Sequence, residues 1–362
     1  KGEGDYYTWT WDEFSKAFPS TEERNTAAEY FNVTQAGNWE KGKNILYATT
    51  DPVKFGLTKG LNGQQSIDLI DDAGIKLRKA STKSPKPSID TKILTSWNAI
   101  MMIGYIDAYL AVGTEDFLKK ALKNAGFLKK NMLRDDGHIW RNYKGGKASI
   151  DGFLDDYAWL GKAYVRLYQA TFDKQWLILA DKIARYAIEH FSDPQTGMFF
   201  YTAKNASNLV VRKMEIIDNV VPSSNATIAE LLHKLGTYLE NQNYIDVAAG
   251  MWRKIAGKIY PSASYYAQWC YLSGLLSYGT FEVAIMGKDA ITKNKGLQKH
   301  YLPDCLFMGE TDEENLPLLE NKLSDNQTII YVCTNRVCRL PVEETAKALD
   351  QIRTIKYSRD KD

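Results

Sequence analysis

Three carboxylates, Asp151, Asp155 and Asp156, stand just ahead of an apolar helical run in the stretch DGFLDDYAWL. Glycoside hydrolysis requires two carboxyl groups facing one another across a cleft, one to protonate the leaving oxygen and one to act as base or nucleophile. Asp155 and Asp156 are adjacent in the chain, so the opposing acid would have to come from a loop, where Asp151, Asp218 and Glu215 are available. A helix start carries partial positive charge, which favours an ionised carboxylate. Such a group suits a base, a nucleophile or a sugar-hydroxyl acceptor better than a general acid. The same position needs a side chain to accept an orphan backbone N–H, and Asp does that well. The expected division gives Asp155 the cap and Asp156 the pocket. Asp151 or Asp218 then stands opposite as the loop acid.

Groups suited to binding lie close by in the sequence. His138, Trp140 and Arg141 occur together in GHIWRNY, and Arg212, Ser223 and Asn225 frame the segment before another apolar helix. Trp97 and Asn98 open an earlier helix, while Tyr266 and Gln268 open a later one. Arginine can hold a carboxylate or phosphate, histidine can move a proton near neutral pH, and a flat aromatic ring can stack on a sugar. On this reading Arg141 and Arg212 hold an acidic substituent, and Trp97, Trp140 and Tyr266 line the ring. Cys333 and Cys338 in CTNRVC have nearly metal-like spacing. No second pair or nearby histidine completes a site, so a free or reversibly oxidised pair is expected and no metal is assigned. No phosphate loop, dinucleotide fingerprint or Gly-x-Ser-x-Gly elbow is present, and no cofactor is expected.

The elements that must position these groups are set by an internal repeat. A shift of 59 residues lays SWNAIMMIGYIDAYLAVGTEDFLKKA over DDYAWLGKAYVRLYQATFDKQWLILA, matching Ala99, Tyr105, Tyr109 and Leu118 to Ala158, Tyr164, Tyr168 and Leu177. A further shift of 68 brings in SNATIAELLHKLGTYLENQNYIDVAA. Each unit reads as helix, tight polar turn, helix. The first helix is apolar nearly all round, as an inner helix is; the second has a charged face, as an outer one has. Such hairpins in series make an α/α toroid. A helix at SIDLIDDAGIKLRKAST and another at SASYYAQWCYLSGLLS bring the total to roughly four hairpins. Residues 132–154 and 192–222 each hold two β-like runs and lead from an outer helix into an inner one. All the long loops therefore gather where inner helices begin, which makes that end the candidate functional face.

After residue 280 the pattern changes to strand, helix, strand, then a further strand and a closing helix with Pro341 near its start. The expected organisation is a toroid over residues 1–280, incomplete at its N-terminus, and a small α/β domain over 281–362. With 362 residues, 44% hydrophobic, the chain can bury a large core, and its net charge of only +2, evenly dispersed, argues against a nucleic-acid partner. The most apolar stretch, SWNAIMMIGYIDAYLAVG, carries Asp107 in its middle and fits a buried helix rather than a membrane span. Four cysteines do not make a disulfide framework, which favours a reducing, cytoplasmic location.

The ordered set DYYTWTWDEF, GNWEKGKNIL, DTKILTSWNAIMM, DGFLDDYAWLGKAYVRLYQATFDKQWL, VPSSNATIAELL, EVAIMG and YVCTNRVCRLPV resembles the spermatogenesis-associated protein 20 / YyaL-like family, also called thioredoxin-domain-containing. The resemblance implies an upstream thioredoxin-like domain, absent from this chain, followed by a six-hairpin toroid. That toroid is similar to those of N-acylglucosamine 2-epimerases and six-hairpin glycosidases. One departure is Ser224, where the family usually has Gly; Asn225 is retained. Sugar 2-epimerases use histidines on inner helices, and His233 alone lies within one here, which counts against epimerase chemistry. The expected function is carbohydrate-active, a glycoside hydrolase working at the inner-helix N-terminal face on a small, sugar-like ligand. The competing expectation is a non-catalytic sugar-binding or scaffold module serving the thioredoxin-like domain.

Overall fold

The computed structural model describes residues 4–82, 86–206, 211–310, 316–324 and 327–359. The chain divides into two compact units, Lys1–Asp90 and Thr91–Asp362. In the first, α1 (Trp11–Ser15), α2 (Thr21–Tyr30), α3 (Pro52–Leu57) and α4 (Gly63–Ser81) are each opened by a polar cap: Thr10, Ser20, Asp51 and Asn62. The helix expected from SIDLIDDAGIKLRKAST is α4, which buries Ser66, Ile70, Ala73 and Leu77 at helical spacing. Ala73 and Leu77 join Phe14, Phe18, Ala27 and Val33 in a small core. The loop after α2 is organised by Asn44, fully buried, whose Oδ1 accepts the Thr34 amide and whose Nδ2 donates to the Thr34 carbonyl.

The second unit holds the repeat. Its hairpins are α5 (Thr95–Val112) with α6 (Glu115–Asn131), α7 (Leu154–Thr171) with α8 (Gln175–Phe191), and α9 (Ser224–Tyr238) with α10 (Gln242–Ile259); α11 (Ala267–Tyr278) follows. Inner helices α5, α7, α9 and α11 pack side by side in that order, and each of α6, α8 and α10 backs its own inner helix. This is the α/α-toroid architecture, with three complete hairpins and one further inner helix among the described residues. The shift of 59 or 68 residues thus superposes one structural unit on the next. Gly161 sets the distance between α7 and α9, since a Cβ there would lie 2.4 Å from a methyl of Leu231. Helices α7 and α9 are buried nearly all round. α5 is not: Trp97 is 67% exposed and Met101 also faces solvent, because among the described residues no inner helix of this unit covers that side.

Of the two loops expected to carry β-like runs, only the first does. Strands β1 (Ile93–Leu94), β2 (Trp140–Lys144) and β3 (Lys147–Asp151) form an antiparallel sheet in the order β1-β2-β3. β2 and β3 turn through Gly145 and Gly146, both left-handed. In the described part of 192–222 there is only an isolated bridge, Ser192 to Phe199.

The C-terminal part follows the expected pattern: β4 (Phe281–Met286), α12 (Ala290–Gln298), β5 (Cys305–Glu310), β6 (Ile329–Thr334), β7 (Val337–Cys338) and α13 (Thr345–Arg359). The sheet order is β5-β4-β6-β7, parallel between β4 and β5 and antiparallel elsewhere. The division expected at residue 280 falls inside the second unit. Phe281, Val283 and Phe307 share one core with Tyr168, Leu235 and Tyr238 of the inner helices, and the Tyr238 hydroxyl donates to the Phe307 carbonyl at 3.0 Å. Cys333 and Cys338 are joined in a disulfide between β6 and β7. Among the described residues no helix is long and apolar enough to cross a membrane.

Candidate functional site

The inner-helix starts are held together by carboxylates, and Asp156 is the chief of these. It is the third residue of α7 and 0% exposed. Its Oδ1 accepts the Ser96 amide of α5 at 2.9 Å; its Oδ2 accepts the Phe153 amide at 3.0 Å and Arg141 Nη1 at 2.9 Å. The division expected from the sequence is therefore reversed. Asp156 caps α7 and ties it to α5, while Asp155 keeps an exposed edge and meets Arg141 Nη1 at 3.1 Å. The physical reason is rotation along the helix: at the third position the side chain reaches back to the residue before the helix, and one position earlier it points away. Burial, then Asp155, push the Asp156 carboxyl up, against Arg141 and the two amides.

Asp218 does the same for the next pair, accepting the Ser223 amide at the start of α9 and the Gln268 amide in α11, both at 2.8 Å. Ser223 caps α9 through the Ala226 amide, and Glu215 accepts the Ser224 amide. Asn225, fully buried, accepts the Phe199 amide and donates to the Phe199 and Glu215 carbonyls. Ser224 is itself fully buried.

The remaining candidates are placed as follows. Asp151 is exposed and meets His138 Nε2 at 3.0 Å, and His138 stands edge-on to Trp140. Arg141 lies over the Phe153 ring, and Arg212 lies 3.9 Å over Phe200 while donating to the Thr202 carbonyl. Asn98 donates back to the Leu94 carbonyl, Tyr266 is buried, and Trp97 projects into solvent. Asp155, Asp156, Arg141 and Phe153 thus form one cluster, and Asp218, Ser223 and Gln268 a second. Among the described residues, Arg212 instead packs on Phe200 and Thr202, and Trp97 stands in solvent.

None of these residues lines the cavity of about 510 Å³ that opens among the inner helices further along. Its walls come from the second half of α5 and the middles of α7 and α9, with Tyr271 of α11 and residues 298–303 closing it. Glu230 is part of its lining and only 1% exposed. One oxygen accepts Lys162 Nζ at 2.6 Å and Gln268 Nε2 at 2.5 Å; the other accepts Lys234 Nζ at 2.6 Å, one helical turn on. Burial would push this carboxyl up, but the two ammonium groups outweigh it and hold it down at about 2. Burial would likewise lower Lys234, and Glu230 instead holds it above its usual value. Arg166 is anchored by Asp107 at 2.7 Å, Gln169 at 2.8 Å and Gln298 at 2.7 Å. Lys162, Arg166, Lys234 and Lys299 face only Glu230 and Asp107 among the carboxylates lining the cavity, so cations are in excess. The sequence carried a signal for this, in polar residues at helical spacing on otherwise apolar helices: Lys162, Arg166 and Gln169, then Glu230 and Lys234. Of the candidates, Gln268 alone links the two regions, its backbone on Asp218 and its side chain on Glu230.

A helical repeat with inner and outer layers and a cavity among the inner helices makes this a protein of the α/α-toroid class. Its homologues are spermatogenesis-associated protein 20 from Homo sapiens, 24% identical over 94% of this chain and 48% of the relative, and the Mus musculus protein, 23% identical over the same shares. An uncharacterized protein of Caenorhabditis elegans, B0495.5, is 24% identical over 95% of this chain and 51% of its own. These relatives agree with the resemblance read from the motifs, and the chain spans about half their length. No family model matches. Similar solved structures include cellobiose 2-epimerase from Spirochaeta thermophila DSM 6192, 14% identical over 49% of this chain and 46% of that one, with a TM-score of 0.40. Unsaturated glucuronyl hydrolase from Bacillus sp. GL1 is 16% identical over 52% and 55%, with a TM-score of 0.37.

Proposed function

We propose that this chain is a binding module for a small, acidic, hydroxyl-bearing ligand, such as a sugar acid or a sugar phosphate, taken into the cavity among the inner helices. The carrying observation is the pairing of two lysines, Lys162 and Lys234, on the single buried carboxylate Glu230. A buried cation without its own counter-ion is costly, and an anionic ligand supplies that counter-ion. Tyr271 adds aromatic surface to the cavity wall, and Gln169 and Gln298, both engaged, hold Arg166 in place there. Glu230 has both oxygens occupied and is ionised far below neutral pH, so it makes a poor general acid and a poor base. Asp107 is engaged by Arg166. The cavity therefore favours binding over hydrolysis, and the reading extends to a module working with an upstream thioredoxin-like domain.

The test is calorimetric titration with glucuronate, glucose 6-phosphate and glucose. The acidic compounds should bind more tightly than glucose, and Lys162→Met should weaken them by about tenfold or more. Equal affinity for glucose and glucuronate, or acid binding untouched by Lys162→Met, would sink the proposal.

Hydrolysis at the inner-helix starts is a second reading. It rests on Asp155, which keeps an exposed edge beside Arg141, with Asp151 in the same hairpin region. It requires that Asp155→Asn abolish turnover of a glycoside while leaving the thermal midpoint unchanged; undiminished turnover removes it.

A further inference from the structure

We propose that the chain carries a second ligand site, a pocket of about 410 Å³ between the ends of α9 and α11 and the β6–β7 turn, which takes a small ammonium compound with an apolar body onto Glu282. Glu282 is the second residue of β4 and 6% exposed, yet among the described residues its carboxylate has no side-chain cation as hydrogen-bond partner. The contact described for it is the Arg336 backbone amide, donating to Oε2 at 3.0 Å. A carboxylate taken out of water needs more than one hydrogen bond and a balancing charge. Burial accordingly pushes the Glu282 carboxyl up.

Arg336 and Lys322 oppose that burial only through space, and among the described residues no cationic side chain hydrogen-bonds the carboxylate. His233, 7% exposed, has Nε2 on the Thr280 hydroxyl at 3.0 Å, and its buried Nδ1 has no partner among the described residues. Burial lowers the imidazole to about 4, so it is neutral at physiological pH. The Arg336 guanidinium is directed to Glu240, at 3.4 Å. An ammonium group would bring both a positive charge and up to three donors to Glu282. Ile245, Leu275 and Leu276 form an apolar wall for the carbon body of such a compound.

The roof of the pocket is a built element. Asn335 and Arg336 form a two-residue turn with both residues left-handed, which aims the Arg336 amide at Glu282. Cys333 lies opposite Glu282 in the sheet register, and its disulfide to Cys338 ties together the two strands that carry the turn.

The site is independent of the cationic cavity, where Lys162 and Lys234 repel an amine. The experiment titrates the full chain with phenethylamine and with its neutral isostere 2-phenylethanol, read by calorimetry. Phenethylamine should bind at millimolar concentration or better and 2-phenylethanol at least about tenfold more weakly. Glu282→Gln should abolish the difference between the two. Should that variant fail to fold, Gln242→Trp at the exposed rim blocks the pocket without touching its interior, and amine binding should be lost. Equal binding of amine and alcohol, no binding of either, an amine preference that survives Glu282→Gln, or amine binding that survives Gln242→Trp overturns the proposal.

Discussion

The starts of the inner helices and the cavity further along them both bury a carboxylate against a basic side chain, and they use it in opposite ways. Asp156 is held by two backbone amides and one guanidinium. Its donors belong to the scaffold, and the charge closes locally. Glu230 is held by side chains alone: two ammonium groups and a carboxamide, beside open volume. Its donors retain charge and freedom that a ligand can use. A buried acid surrounded by backbone N–H groups organises chain ends; one surrounded by lysines organises a binding surface. Burial does not distinguish them, but the identity of the donors does.

The contrast is broken most severely at Glu230. Glu230→Gln leaves Lys162 and Lys234 in the interior with no counter-ion, and should cost about 3–5 kcal/mol in urea unfolding. A loss under about 1 kcal/mol would mean that the lysines relax into solvent and the cavity is not preorganised. The acid limb of stability follows from the same site. The Glu230 carboxyl in the fold lies below its unfolded value, so its contribution is complete above pH 4.5 and is lost as pH falls towards 2. That loss should amount to roughly 3 kcal/mol. The slope should become shallower by that amount in Glu230→Gln, where Asp136 and Asp193 still contribute, and persist in full in Asp156→Asn, because burial pushes the Asp156 carboxyl the other way. Chemical denaturation at pH 5, 4 and 3 distinguishes the three proteins.

Much of the scaffold was legible because the repeat is written in apolar spacing. The shifts that align Tyr105 with Tyr164 and Leu167 with Leu235 follow the faces by which inner helices meet, and packing constrains those faces. The strand-helix-strand run after residue 280 was equally plain. Its union with the helical core was not, since the contact of Tyr238 with Phe307 joins residues far apart in sequence. The site was only half legible. Gathering polar residues at the helix starts was correct as geometry, yet those residues close the chain upon itself. Lys162, Arg166, Glu230 and Lys234 resemble a solvated helix face when each helix is considered alone. They become a cavity because Gly161 lets α7 and α9 approach closely enough for Lys162 to reach Glu230. Asp155 and Asp156 illustrate the finest limit. The two differ by about 100° of helix rotation, and no composition or spacing says which of them turns inward.

That pair also supplies the gentlest test of the comparison. Asp156→Asn sets an amide donor against the N–H groups of Ser96, Phe153 or Arg141, and should cost about 2–3 kcal/mol. Asp155→Asn removes one partly exposed ion pair while Arg141 keeps its contact with Asp156 at 2.9 Å, so it should cost under about 1 kcal/mol. The order of the two midpoints in urea is the decisive reading, because both changes replace one carboxyl by a carboxamide in the same turn of α7. A larger loss for Asp155→Asn would return the cap to Asp155 and free Asp156 for chemistry. The expected order leaves Asp155 as the acid of that pair with a partly exposed edge towards a ligand.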